Sequence, residues 1–142
     1  MKKLTVYNII ITDFFQYWKT IVWLTIVFFL STMTVPDVSS VPLVNIPHFD
    51  KIIHFSMYFI LATLWMLDDF KKTKAFRMFN LIIIMIFSIS YGLLMEVVQQ
   101  IIVQDRTGDI LDVLANTIGV IIAILIFRNI NFYRKILINL FI

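Results

Sequence analysis

The fold of this chain is decided by residues 91–119, YGLLMEVVQQIIVQDRTGDILDVLANTIG. Two long apolar runs meet here across a short polar turn, and polar side chains recur inside both runs. Apolar runs of this length predict helices that span a membrane, where carboxylates and amides are costly to place. Such residues are usually retained because they form a functional site.

The composition indicates a helical membrane protein. The chain has 142 residues, of which 61% are hydrophobic and 15% are charged, whereas a soluble domain carries about a quarter charged residues. It contains no cysteine, which excludes disulfides and thiolate metal sites. The net charge of +3 comes from basic residues clustered between apolar runs, and this pattern indicates membrane topology rather than nucleic-acid binding.

Four apolar runs predict an all-α membrane protein, a bundle of four transmembrane helices in one domain over residues 1–142. The runs cover about residues 20–35, 52–67, 78–103 and 110–127. All three prolines lie between the first two runs, which predicts an extended loop or a shallow re-entrant segment there. Apolar residues at helical spacing near both termini predict amphipathic arms, or extensions of the neighbouring spans.

The basic residues orient the predicted helices. Ten of the twelve lie in the N-terminal arm, in the connection between the second and third runs, or at the C-terminal end. Only Lys51 and Arg106 lie in the other two connections. The positive-inside rule therefore predicts that both termini are cytoplasmic. A retained first helix is favoured over a cleaved signal peptide, because Asp13 interrupts the apolar segment and no small-x-small site follows it.

The fourth predicted helix carries a polar stripe. Asp109, Asp112, Asn116 and Gly119 are spaced by three, four and three residues and fall within an arc of about 80°. Because glycine has no side chain, Gly119 is predicted to let the backbone of another helix approach closely. Asp109 is as good a candidate for the helix N-cap as for a site residue.

The third predicted helix carries a glutamate inside the membrane. Glu96 lies about 10 Å before the end of its run, and Gln99 follows one turn later. A lipid-exposed Glu at that depth costs about 2.5–3.5 kcal/mol on insertion scales, so Glu96 must face the bundle. An alternative is that Glu96, Gln99 and Asn116 only join helices through hydrogen bonds.

The start of the second helix adds a histidine. Asp50, Lys51, His54 and Tyr58 share one side of it, and His54 is a candidate general base, metal ligand or proton relay. With the orientation above, these residues, the end of the third helix and the start of the fourth should form one pocket on the outer face.

The pocket suits two kinds of ligand. Lys51 and Arg106 are candidates to bind a phosphate or carboxylate head group. A hard divalent cation is a candidate cofactor, held by Glu96, Asp109 and Asp112. A tetrahedral zinc site is less favoured, because only His48 and His54 supply nitrogen.

Three motifs carry a family resemblance: Asp50-Lys51-x-x-His54-Phe55-x-x-Tyr58, Tyr91-Gly92-x-x-x-Glu96-x-x-Gln99, and Arg106-x-x-Asp109-x-x-Asp112-x-x-x-Asn116-x-x-Gly119. In this order they resemble the VanZ-like family, over about residues 35–125. The resemblance implies a small integral protein of the bacterial cytoplasmic membrane. The family's namesake is associated with low-level resistance to the glycopeptide teicoplanin, and its biochemical mechanism is not established.

The favoured function is binding of the head group of a membrane lipid or a cell-envelope precursor, with an effect on teicoplanin susceptibility. The alternative is a small membrane enzyme acting on a lipid-linked or phosphorylated substrate, with Glu96 or His54 as acid–base and Asp109 and Asp112 binding a cation. No nucleic-acid partner is expected, and the sequence leaves monomer and oligomer open. The ligand-binding candidates are Asp50, Lys51, His54, Tyr58, Glu96, Gln99, Arg106, Asp109, Asp112 and Asn116.

Overall fold

The protein is all-helical in the part that the computed structural model describes, which is residues 15–33, 48–73, 77–102 and 109–129. The helices are α1 (Trp18–Thr32), α2 (Phe49–Thr73), α3 (Met78–Ile102) and α4 (Ile110–Asn129). The predicted all-α fold with four helices is therefore confirmed. The proline-containing connection, both predicted terminal arms and Arg106 lie outside the described residues.

Three of the four helices have the length and composition of membrane spans. These are α2, α3 and the segment Ile110–Arg128 of α4. The apolar helix α1 has 15 residues, which is about 22 Å at 1.5 Å per residue and less than the roughly 30 Å of a hydrocarbon core. Three helices thus support a membrane protein, and α1 is shorter than a full span.

The helix bounds differ most from the apolar runs at the end of α2. This helix continues six residues beyond Leu67, through Asp68 and Asp69, whose side chains are buried. Both carboxylates accept hydrogen bonds from neighbouring helices, so the helix tolerates them. At the end of α1, the backbone of Met33 is already extended, so the helix ends before residue 35.

The helix α2 lies at the centre of the bundle and contacts the other three helices. Its closest approach is to α4, where a Cβ on Gly119 would lie 2.4 Å from the carbonyl oxygen of Phe55. The predicted close backbone approach at Gly119 is therefore present. In a membrane, where lipid is as apolar as the side chains, such tight packing is a main source of helix association.

Two hydrogen bonds position α1 against its neighbours. The Trp23 indole N–H donates to the carbonyl of Met57 at 2.9 Å, and the Tyr91 hydroxyl donates to the carbonyl of Leu24 at 2.9 Å. Successive helices run in alternating directions. The start of α2, the end of α3 and the start of α4 consequently meet at one end of the bundle.

Candidate functional site

Polar side chains from three helices converge at this end of the bundle. We call the group the polar site. The helix α2 supplies residues from its first three turns, α3 supplies a glutamate, and α4 supplies its cap and first two turns. The members are Asp50, Lys51, His54, Tyr58, Glu96, Asp109, Asp112 and Asn116.

A lysine ammonium group lies at the entrance of the polar site. Lys51 Nζ is 2.8 Å from Asp112 Oδ1, and it also contacts the carboxylates of Asp50 and Asp109, each at 2.5 Å. The side chain of Asp112 is 4% exposed, whereas those of Asp109 and Asp50 are 38% and 51% exposed. Three carboxylates thus surround one ammonium group, so this part of the site has a net negative formal charge.

Asp109 has two roles at once. Its Oδ1 accepts a hydrogen bond from the backbone N–H of Leu111 at 2.8 Å, as the N-cap of α4, and its Oδ2 binds Lys51. The hydrogen bond from Lys51, together with that from Leu111, holds the pKa of Asp109 below its ordinary value. The cap and the ion pair, which sequence reasoning treats as alternatives, are therefore combined in one residue.

The imidazole ring of His54 lies between two carboxylates. Its Nε2 is 3.6 Å from Asp112 Oδ2 on α4, and its Nδ1 is 3.8 Å from Glu96 Oε1 on α3. Nδ1 is also 3.2 Å from the side-chain oxygen of Asn116. All four side chains are buried. A ring held in this way can take up or release a proton at either nitrogen beside an acidic group.

Two further polar groups lie on either side of the space beside Gly92, in the side chains of Tyr58 and Asn116. The Tyr58 hydroxyl and the Asn116 amide nitrogen are buried, and neither has a hydrogen-bond partner within the described residues. A Cβ on Gly92 would lie 3.3 Å from each of these two side chains, so Gly92 provides the room for them. Gln99 lies one turn beyond Glu96 and is also buried. Buried polar groups usually have hydrogen-bond partners, so the Tyr58 hydroxyl and the Asn116 amide nitrogen, unpaired among the residues described, are unusual.

The carboxylates form two groups with metal-ligand spacing. One comprises Asp50, Asp109 and Asp112, and the other His54, Glu96 and Asp112, with ligand atoms that lie within 4.8 Å of one another in each group. The set predicted from sequence, Glu96 with Asp109 and Asp112, is therefore divided between two groups that share Asp112. Because the Lys51 ammonium already lies in the first group, the second is the better candidate for a cation.

Sequence reasoning missed a second polar cluster at the opposite end of the bundle. Asp68 and Asp69 are 1% and 9% exposed, although they adjoin a basic connection and follow the apolar run that ends at about residue 67. Helical periodicity is the sequence signal from which the burial of these two residues could have been predicted. Asp68 lies seven residues after the buried Leu61 and Asp69 seven after the buried Ala62, so both remain on the buried face of α2.

No curated protein and no solved structure gives a significant match to the chain. The family model described as VanZ/LLP1 matches residues 3–133. The matched region includes all four helices and every residue of the polar site. The match agrees with the resemblance that the three polar motifs carry, and the chain therefore belongs to the VanZ/LLP1 family.

Proposed function

We propose that the polar site binds the polar head group of a membrane lipid or of a lipid-linked cell-envelope precursor. The observation that carries this proposal is the pair of buried, unsatisfied groups, Tyr58 Oη and Asn116 Nδ2, for which the described residues provide no hydrogen-bond partner. Leaving such a group unpaired costs about 1–3 kcal/mol. A ligand that accepts hydrogen bonds from both groups would remove this cost.

The charges of the site favour one kind of head group. Lys51 is already surrounded by three carboxylates, so a bare phosphate would meet net negative charge there. Hydroxyl and amide groups, as in a sugar or peptide head group, can donate to Glu96 or Asp112 and accept from Tyr58 or Asn116. We therefore favour a neutral head group rich in hydroxyl or amide groups.

The polar site faces the outside of the cell in this proposal. The basis is the charge distribution of the sequence, because the last turn of α2 carries Lys71 and Lys72 and the connection to α3 carries Lys74 and Arg77. We therefore propose that the chain lies in the bacterial cytoplasmic membrane with both termini inside. Reporter fusions in the α2–α3 connection should have cytoplasmic activity, and external activity there would contradict the orientation.

Native mass spectrometry of protein gently released from its own membranes tests the binding proposal. We expect a co-purifying lipid or precursor on the wild type and its loss in Glu96→Gln, which removes a buried carboxylate charge with little change in shape. Asp69→Asn is the matched control at the opposite end of the bundle and should retain this ligand. The proposal would be contradicted if no co-purifying molecule were lost from Glu96→Gln while being retained by Asp69→Asn.

A second candidate function is hydrolysis of a lipid-linked phosphate, and the position of His54 between Glu96 and Asp112 favours it. A carboxylate beside one ring nitrogen orients the ring, so that the other nitrogen can accept a proton from water as it attacks phosphorus. The water oxygen then forms the new P–O bond, the P–O bond to the lipid breaks, and the protonated imidazole gives its proton to the leaving lipid oxygen. The test is an assay for inorganic phosphate released from polyprenyl phosphates, run with and without Mg²⁺. Release by the wild type that is lost in His54→Gln would support this function.

An effect on glycopeptide susceptibility would follow if the bound molecule is a cell-envelope precursor. Expression of the wild type should then raise the teicoplanin concentration that inhibits growth, and expression of Glu96→Gln at the same level should not. If both strains were inhibited at the same teicoplanin concentration, binding at the polar site would have no role in resistance.

A further inference from the structure

A cavity lies between α1, α2 and α3, away from the polar site. Its volume is about 370 Å³, within the range of about 300–1,000 Å³ that is usual for ligand pockets. Tyr17, Asp69 and Asn80 line one part of it, and Trp65 and Phe87 line another. The cavity is therefore amphipathic, and none of its residues belongs to the polar site.

The polar part of this cavity lies near the opposite edge of the membrane. Asp69 follows Lys51 by 18 residues on the uninterrupted helix α2, a distance of about 27 Å at 1.5 Å per residue. This is close to the roughly 30 Å thickness of a hydrocarbon core. If Lys51 lies at one membrane edge, Asp69 lies at the other, at the depth of the lipid head groups.

The cavity changes from polar to apolar in one direction on all three helices. On α2 the lining passes from Asp69 to Trp65, on α3 from Asn80 to Phe87, and on the first helix it follows the same order over residues 17–24. In each case the polar residues lie near the helix end and the apolar ones one or two turns deeper. A membrane lipid has the same order of polarity along its length.

The charges at the polar part select a head group. The carboxylate of Asp69 accepts hydrogen bonds from the Asn80 amide at 2.8 and 3.1 Å and from the Tyr17 hydroxyl at 3.3 Å. These donors are all neutral, so they stabilise the carboxylate without cancelling its charge. The Lys72 ammonium lies 5.7 Å from the centre of the Tyr17 ring. Tyr17 therefore contacts an acidic group and lies beside a basic one.

We propose that this cavity binds a zwitterionic aminophospholipid. The primary ammonium of the head group donates to Asp69, the phosphate lies beside Lys72, and one acyl chain packs against Trp65 and Phe87. An anionic lipid would also place its phosphate beside Lys72, but it would bring no ammonium group to Asp69. This site does not depend on the function proposed for the polar site.

Competition between defined lipids tests the proposal. The purified protein is delipidated in detergent, and native mass spectrometry measures retention of phosphatidylethanolamine, phosphatidylglycerol and phosphatidylcholine with the same acyl chains. We expect phosphatidylethanolamine to bind at least tenfold more tightly than the other two. Asp69→Asn should abolish this preference, Lys72→Gln should weaken binding of phosphatidylethanolamine, and Glu96→Gln should change neither.

A fluorescence measurement locates the lipid without changing Asp69. The chain has three tryptophans, so Trp18→Phe with Trp23→Phe leaves only Trp65. Phosphatidylethanolamine with brominated acyl chains should quench Trp65 fluorescence at lower concentrations than brominated phosphatidylglycerol. Equal retention of the three lipids, absence of quenching, or loss of the preference in Glu96→Gln would each overturn the proposal.

Discussion

The ammonium nitrogen of Lys51 lies 2.8 Å from a carboxylate oxygen of Asp112, and this ion pair joins the first turn of α2 to the first turn of α4. The Asp112 side chain is 4% exposed, so water contributes little to its stabilisation. The carboxylates of Asp50 and Asp109, which also contact Lys51, are partly exposed. Water can stabilise their charges, so they depend less on Lys51. Lys51 is thus the group that makes a buried charge tolerable at this end of the bundle.

Replacing Lys51 with an apolar residue should destabilise the protein. In Lys51→Met the carboxylate of Asp112 loses its cationic partner while it stays buried, and breaking such a pair costs about 3 kcal/mol or more. The free energy of unfolding, measured by titration of the detergent-solubilised protein with sodium dodecyl sulfate, should fall by about that amount.

The double variant Lys51→Met with Asp112→Leu supplies the control. Removing both charges together avoids the unpaired carboxylate, so the double variant should be clearly more stable than Lys51→Met alone. A double variant no more stable than the single one would mean that the ion pair is not the source of the loss.

The ion pair between Lys51 and Asp109 should persist at mildly acidic pH. The pKa of Asp109 lies below its ordinary value of 3.8 because Lys51 and the Leu111 N–H bind the ionised form. Its contribution is complete above the pKa of the unfolded chain and is lost as the pH falls through the lower folded pKa. The stability difference between wild type and Asp109→Asn should be constant from pH 8 to 5 and shrink progressively at lower pH, through the ordinary value of 3.8 and below it. A difference that declines between pH 7 and 5 would contradict this assignment.

The polar site was predictable from sequence because helical periodicity determines which residues share a face. Asp109, Asp112, Asn116 and Gly119 fall on one side of any α-helix, and the structure places Asp112 and Asn116 against His54. The pairing of Lys51 with three carboxylates was not predictable. It depends on the relative depth of α2 and α4, which the close contact at Gly119 sets.

The cavity between α1, α2 and α3 could not be predicted from the sequence, for a different reason. Charged residues beside a basic connection usually mark the end of a membrane span, and Asp68 and Asp69 follow the apolar run directly. Their burial depends on Thr20 and Asn80, which lie on other helices, 48 residues from Asp68 and 11 residues from Asp69 respectively. Only the tertiary packing reveals that these neutral side chains serve as their hydrogen-bond donors.

Gly92 and Gly119, which lie within the described helices, should respond differently to replacement by alanine. In Gly119→Ala the new Cβ would meet the carbonyl oxygen of Phe55 at 2.4 Å, and backbone cannot move aside without separating α2 from α4. In Gly92→Ala the Cβ would meet the Asn116 and Tyr58 side chains at 3.3 Å. We expect Gly119→Ala to cost about 1–3 kcal/mol of stability or more, and Gly92→Ala less.

The same pair of variants separates stability from ligand binding. Gly92→Ala shifts the Tyr58 and Asn116 groups, so it should release the ligand of the polar site while the protein remains folded. Thermal unfolding and native mass spectrometry of the two variants check this contrast. Equal stability of the two variants, or full ligand retention in Gly92→Ala, would argue against the roles assigned to the glycines.

Asp68 should stabilise the start of α1 from outside that helix. The residue before α1, Tyr17, makes no side-chain capping bond, and the Thr20 backbone N–H and hydroxyl both donate to Asp68 Oδ2, at 3.2 and 2.8 Å. A helix N-terminus has N–H groups without intrahelical partners and favours a nearby anion. Asp68 on α2 therefore supplies the acceptor that the first turn of α1 lacks.

Asp68→Ala should therefore destabilise α1 more than Asp68→Asn does. The alanine variant leaves the buried donors of Thr20 unpaired, at a cost of about 1–3 kcal/mol, whereas asparagine keeps an acceptor oxygen and loses only the charge. Hydrogen exchange should be faster for the amides of α1 in Asp68→Ala, with little change in α4. If exchange in α1 were the same in both variants, Asp68 would not cap the helix, and its burial would have to be explained by packing against Thr20 alone.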